Sequence, residues 1–187
     1  MEKKILNLLN VCRKGSRALG PGLRYVIWTQ GCPFHCKGCT TQEGQAIVER
    51  LMVDVELMVT DIIRRSDIEG ITISGGEPFL QAASLAHLIR LVRKERPDLN
   101  FIAFTGFNIE ALRSSEAKSL LSELDVLIDG PFVQHLKIKK GLRGSSNQRF
   151  HFLTNRLMAY EDELKNGERL FETIIDNDSI NTIGIPT

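Results

Sequence analysis

Two hydrophobic patterns alternate along the chain. Short runs of β-branched and aromatic residues read as buried strands, and longer stretches with an apolar residue every third or fourth position read as amphipathic helices. Residues 25–31, YVIWTQG, form the first such strand and end in glycine, with Trp28 at a core position. Residues 46–66 carry Val48, Leu51, Met52, Val55, Met58, Val59 and Ile62 at helical spacing. That spacing predicts one long helix with Met52 and Met58 on its buried face. Residues 70–76, GITISGG, predict a second strand running into a double glycine, and residues 79–96 a helix stopped by Pro97. Strands over 100–106, 126–132 and 148–153 and a helix over 108–123 complete this stretch. Beyond it, RLFETIIDNDSINTIGIP places two strand-like runs around a turn-forming DNDS, the pattern of a β-hairpin.

Such alternation builds right-handed βαβ units and an α/β fold with a mainly parallel sheet. Residues 1–155 make the main domain, and 156–187 a C-terminal extension whose hairpin packs on it. In these sheets the loops at the carboxyl ends of the strands meet at one edge, where α/β proteins bind ligands. Four unusual segments fall at such ends: a cysteine turn, the double glycine, TGF at 105–107 and DGPF at 129–132. Together they predict one composite site.

Composition narrows the setting. With 187 residues, 42% hydrophobic and 25% charged, the chain suits an ordinary globular domain with a real core. A formal net charge of +1 gives no reason to expect nucleic acid or an acidic membrane as partner. No apolar run reaches the about 18 residues of a membrane span. The N-terminal MEKKILNLLNVCRKG lacks the long apolar core and small-residue cleavage site of a signal peptide. These features place the protein in the cytoplasm, where clustered cysteines serve metals or redox chemistry rather than disulfides. The basic stretch Lys137, Lys139, Lys140 and Arg143 reads as a solvated loop face, and neither His87 nor His135 is given a role.

Cys32, Cys36 and Cys39 share one short turn. Thiolates are soft ligands that select iron–sulfur clusters, zinc and copper(I). A structural zinc site closes with four protein ligands, and a [4Fe–4S] cluster usually takes four cysteines. Here His35 or the distant Cys12 could in principle supply a fourth ligand. Cys12 reads better as a small buried hydrophobe, and His35 as a bystander of the loop. Three thiolates on a cubane leave one iron with an open position, which signals chemistry rather than scaffolding. On the cysteines alone, zinc and a chance grouping stand as the alternatives. SGGEP at residues 74–78 adds a second signal. Gly75 and Gly76 let a ligand approach the backbone, whose N–H and C=O groups can hold an amino acid's polar end. Glu77 offers a carboxylate to an ammonium group, and Pro78 suits the first position of a helix.

In this order, in a chain of βα repeats, CPFHCKGC and SGGEP resemble the radical S-adenosylmethionine (SAM) superfamily. The resemblance implies a partial, open (β/α) barrel. It implies that Cys32, Cys36 and Cys39 hold three irons of a [4Fe–4S] cluster and that SAM chelates the fourth through its amino and carboxylate groups. Ser74, Gly75, Gly76, Glu77 and Pro78 would bind the methionine end. An electron from the reduced cluster then splits SAM into methionine and a 5′-deoxyadenosyl radical, so a flavodoxin- or ferredoxin-type reductant is implied. GPGLRYVIWTQGCPFHCKGC is similar to the start of the glycyl-radical-enzyme activating proteins. FTGF, DVLIDGPFV and LRGSSNQR are similar to the activators of anaerobic ribonucleotide reductase. By that likeness Thr105, Gly106 and Asp129 face SAM at strand ends. Arg143, Ser145, Ser146, Asn147 and Gln148 supply donors from a late loop near it. The implied activity is installation of a glycyl radical on the anaerobic reductase. Two alternatives stay open. One is radical chemistry on another peptide or a small molecule, for which CTTQEGQ after the last cysteine and Leu19 before GPG leave room. The other is a non-catalytic zinc- or cluster-binding module, in which SGGEP and RGSSNQR have no purpose.

Overall fold

A computed structural model of the chain describes residues 4–176 and 179–186. The chain opens with β1 (Ile5–Ser16), turns back through β2 (Arg24–Thr29), and adds β3 (Leu51–Asp54) and α1 (Val55–Ile63). It then alternates β4 (Gly70–Gly75), α2 (Ala82–Glu95), β5 (Asn100–Phe104), α3 (Ser115–Leu121) and β6 (Val126–Asp129). β7 (Arg149–Phe152), a short α4 (Glu161–Asn166) and the hairpin β8 (Glu172–Asp176) and β9 (Ser179–Ile183) follow. Seven strands form one sheet in the order β3-β1-β2-β4-β5-β6-β7. Its centre, β2-β4-β5-β6, is parallel, and β1, β3 and β7 are added antiparallel. The fold is α/β on a mixed sheet with a parallel centre, and the expected C-terminal hairpin forms a second, two-stranded sheet. Two residues of its DNDS turn, Asn177 and Asp178, lie outside the described residues. Among the described residues no helix is long and apolar enough to cross a membrane.

Two expected helices are shorter than their periodicity suggested. Residues 51–54 are not helical but pair with β1, Leu51 opposite Leu8 and Val53 opposite Leu6. The helix starts only where the Asp54 carboxylate accepts the Glu56 N–H at 2.9 Å, an N-cap that satisfies an otherwise orphaned donor. Val55, Met58, Val59 and Ile62 are buried as expected, but Met52 is 50% exposed and so is not a core residue. The helix expected over 108–123 divides into a 3-10 turn at Ile109–Ala111 and α3, which starts where the Ser114 hydroxyl accepts the Ala117 N–H.

The sheet buries both faces, with period-2 alternation sorting the side chains. Tyr25, Ile27, Ile71, Ile73, Phe101 and Leu127 pack under α1, α2 and α3. The opposite face is covered by the chain beyond β7 together with Leu142 before it and the β1–β2 segment around Cys12 and Leu19. Ile102, Val126 and Ile128 meet Leu142, Leu157 and Leu164, while Val26 meets Cys12, Leu19 and Ile183. Burial of each such aliphatic side chain contributes about 1.5–3 kcal/mol. The C-terminal extension thus acts as a third layer. Arg24, fully buried at the base of β2, donates to Thr72, Asn100 and the carbonyls of Pro21 and Ile71, which pins the edge remote from the cysteines. Its burial pulls the guanidinium pKa down to about 9.

Candidate active site

The cysteine turn leaves the carboxyl end of β2 and is woven into the end of β4 mainly by backbone, with the Gln30 amide donating to Ala46 C=O at 2.6 Å and the Gln81 amide to Gln30 C=O at 3.2 Å. Gly31 N–H donates to Gly44 C=O at 2.8 Å, Cys32 N–H to Gln45 C=O at 3.1 Å, and Glu77 N–H to Gly31 C=O at 2.8 Å. At Gly76 these segments cross so closely that a Cβ would stand 2.2 Å from the Gly31 oxygen and 2.7 Å from the Gly44 oxygen. Gly75, at φ +107°, would put a Cβ 2.3 Å from Thr29 N. The space a side chain would need at either glycine is therefore taken up by the protein's own main chain. A third segment joins through Phe34, whose ring lies where a Cβ on Gly106 would be, 2.5 Å away, and meets Phe107 edge-on at 4.8 Å.

All three thiols line one cleft of about 650 Å³, shared with Ser74, Gly75, Gly76, Glu77, Thr105 and Gly106. That volume suits a small organic ligand, whose sites span about 300–1,000 Å³. Cys32 is buried and Cys36 and Cys39 are half-buried, while His35 points to solvent exposure. Burial pushes the Cys32 thiol up to about 11 and raises that of Cys36. These thiols ionise when a metal supplies the compensating charge. Among the described residues no three His, Cys, Asp or Glu side chains close around a single metal ion. A cubane, which offers each thiolate its own iron, asks for a wider triangle. The donor set, its common cleft and its preformed loop fit a cluster.

Glu77 is fully buried and its carboxylate is already engaged. Oε1 accepts from Phe79 N–H at 2.9 Å and from the Thr105 hydroxyl at 2.8 Å, and Oε2 from Gly106 N–H at 2.7 Å. Burial raises the carboxyl pKa, with these three donors working against the rise. Glu77 clips the end of β4 to the end of β5, and Pro78 begins the 3-10 turn behind it.

Asp129, Arg143, Ser145, Ser146 and Asn147 do not line the cleft, although their neighbours Gly130, Gly144 and Gln148 do. Buried Asp129 accepts from Arg149 at 2.5 and 3.0 Å and from Ile109 N–H at 2.7 Å, with His151 Nε2 3.1 Å away. Burial opposes its charge, yet these partners outweigh burial and hold the carboxyl below the usual range. A depressed pKa contributes stability above the unfolded value and loses it as pH falls. Urea unfolding is thus expected to show stability dropping as pH falls below about 4, and Asp129→Asn to flatten that drop. An unchanged slope in the variant would remove Asp129 from the acid response.

The late loop is built around Gln148, which accepts from Gly144 N–H at 2.7 Å and donates to Gly130 C=O at 2.9 Å. Asn147 donates to Pro131 C=O at 2.8 Å, Ser145 accepts from Val133 N–H at 3.1 Å, and Arg143 donates to Gln148 C=O at 3.0 Å. Exposed Ser146 contributes its backbone N–H to Leu136 C=O at 2.9 Å. DGPF and RGSSNQ are therefore one interlocked unit beside the cleft.

Comparison with known proteins identifies the scaffold. The 4Fe-4S single cluster domain family matches residues 18–151. The anaerobic ribonucleoside-triphosphate reductase-activating protein of Vibrio cholerae is 34% identical over 149 residues, 72% of this chain and 91% of that protein. The protein of the same name from Haemophilus influenzae is 32% identical over 140 residues, 71% of this chain and 89% of that one. The chain belongs to this activating-protein family. A shorter likeness, 39% over 77 residues, links it to the pyruvate formate-lyase-activating enzyme of Staphylococcus epidermidis, covering 38% of this chain and 31% of that enzyme.

The family match contains every residue expected at the site, but part of the cleft lies outside it. Thr182, Ile183, Gly184, Ile185 and Pro186 line the cleft and lie beyond residue 151. Trp28 also lines it, half-buried rather than enclosed in the core, as do Phe104 and Leu19. Trp28 could have been found from the alternation in YVIWTQG, which puts it on the face opposite Tyr25 and Ile27. For the five C-terminal residues no local signal exists, because only the folded path of the extension brings them to the cysteines.

Proposed function

We propose that this protein is a radical SAM activating enzyme whose protein substrate is an anaerobic ribonucleotide reductase. Membership of the activating-protein family and three thiols converging on one cleft support this reading most directly. Cys32, Cys36 and Cys39 hold the [4Fe–4S] cluster, and the backbone of Ser74, Gly75 and Gly76 with Thr105 and Gly106 receives SAM. Bound there, cluster and SAM would supply one-electron radical chemistry directed at a glycine of the partner. The chain's own part is to hold the strand ends in register. Glu77 fixes the two glycine turns against each other, and Gln148 keeps the Gly130 loop in place. Asp129, Arg143, Ser145, Ser146, Asn147 and Pro78 act from behind this lining, as positioning residues.

The parallel centre of the sheet is read as the partial, open (β/α) barrel of the superfamily, with residues 1–155 as the cluster- and SAM-binding domain and 156–187 as an extension packed on it. A cytoplasmic setting and a flavodoxin- or ferredoxin-type electron donor belong to the same reading. The test is anaerobic reconstitution with iron and sulfide, addition of SAM, a reductant and the host's anaerobic reductase, and electron paramagnetic resonance. A glycyl-radical doublet together with 5′-deoxyadenosine is the expected result. Deoxyadenosine without the doublet would keep the chemistry and move the substrate to another peptide or a small molecule.

A further inference from the structure

Three side chains of the late loop fix the main chain on either side of Phe132. Gln148 donates to Gly130 C=O at 2.9 Å, Asn147 to Pro131 C=O at 2.8 Å, and the buried Ser145 hydroxyl accepts from Val133 N–H at 3.1 Å. Backbone bonds continue the seam, from Ser146 N–H to Leu136 C=O at 2.9 Å and from Ile138 N–H to Gly144 C=O at 3.2 Å. Gly144 makes room for the Phe132 ring, which a Cβ there would meet at 2.9 Å. Residues 130–138 are therefore held along their length by one loop.

The held segment lies against the cysteine turn. Gln134 packs on Gly38, where a Cβ would stand 3.2 Å from the Gln134 side chain. Lys37 shares a surface hollow with Phe132, Val133, Gln134 and His135. Phe132 and Cys36 both line the cleft. Among the described residues no oxygen takes the Phe132 N–H. It is directed at the Cys36 sulfur: burial raises that thiol's pKa, and this N–H opposes the rise. Cys32 has its backbone donor inside the turn, at Phe34. The donor at Cys36 comes instead from the end of β6, and the late loop fixes its place.

We infer that Ser145 and Asn147 act on the cluster through Phe132, holding its N–H against the Cys36 sulfur and so setting the cluster's reduction potential. Neither side chain lines the cleft, so both are positioning residues. Reduction adds one negative charge to the cluster. A fixed N–H at a coordinating sulfur stabilises the more negative state more strongly, which makes the cluster easier to reduce. Because the donor is held in place beforehand, its dipole needs no reorganisation when the electron arrives. The seam thus serves the electron-transfer step, a role separate from the SAM contacts that the likeness of RGSSNQ implied.

The inference rests on the cluster assignment above, and the test keeps the two apart. The reconstituted protein, without SAM, is poised anaerobically at a series of potentials, and the reduced cluster is counted by electron paramagnetic resonance. One variant replaces the Pro131–Phe132 amide with an ester, by incorporating the α-hydroxy analogue of phenylalanine at position 132. It removes the N–H and keeps the ring. The second variant is Ser145→Ala. Where the parent is half reduced, the ester form is expected to show about a tenfold lower ratio of reduced to oxidised cluster, a shift of about 59 mV to more negative potential for one electron. Ser145→Ala is expected to lower that ratio about threefold or more, at full iron content. An unchanged potential in either iron-loaded variant would overturn the inference, and a fall in SAM affinity alongside it would return the loop to SAM binding. Loss of iron from both variants would also overturn it, making the seam a brace for cluster retention. A parent protein that takes up no redox-active cluster would overturn the cluster assignment, and the inference with it.

Discussion

Replacing Cys36 with alanine is expected to abolish SAM cleavage, a loss of more than about three orders of magnitude, or about 4 kcal/mol of barrier. The thiol is one of three lining the cleft, and the described residues offer no further cysteine in it. The fold should survive, because the loop is held by the backbone bonds at Gly31, Cys32 and Glu77 rather than by any sulfur. The iron-free variant should therefore unfold in urea within about 0.5 kcal/mol of the parent. Iron content and 5′-deoxyadenosine yield are the decisive readings, and retained cleavage would sink the cluster assignment.

Glu77→Gln tests a subtler point, since the two side chains share a shape but not a charge. Three donors, Phe79 N–H, the Thr105 hydroxyl and Gly106 N–H, converge on the two carboxylate oxygens. An amide offers a single oxygen, so either of its orientations turns an NH2 toward a donor. The expected cost is about 1–3 kcal/mol of stability in the iron-free protein. SAM affinity then falls about tenfold through displacement of the strand ends. Glu77→Ala, which leaves all three donors unpaired in a buried site, costs more. If the glutamine variant instead kept full stability and lost only SAM affinity, the carboxylate would contact the cofactor directly, as the sequence pattern alone suggests.

Much of the parallel centre was legible in the sequence because its strands are short, β-branched and closed by glycine. YVIWTQG, GITISGG, NFIAFTG and VLIDGPF needed no tertiary information. β1 escaped notice because Asn7 and Asn10 interrupt its alternation. Asn7 proves to be a junction, its side chain bonding Val48 C=O and Arg50 N–H while its backbone pairs with the Gln81 amide. The helix expected over 46–66 failed at its start because β1 offers residues 51–54 a pairing edge, a long-range choice that overrides a local period. At the site, the three thiols and two glycines were visible by spacing. The reason for the glycines was not, since Gly76 is dictated by oxygens of Gly31 and Gly44, residues distant in sequence whose approach has no local signature.

The crossing at Gly76 also bears on what oxygen does to this protein. Small metal-built domains lose their shape with their metal, since binding and folding are there a single event. Here the main chain braces the cysteine loop from β2, β4 and the Phe34–Phe107 contact. On the proposed cluster assignment, air that strips the iron is therefore expected to leave a shaped cradle behind. Damage of that kind would be an emptying rather than a collapse, and return to anaerobic conditions with iron and sulfide is expected to refill it, provided the thiols have gone no further than reversible oxidation.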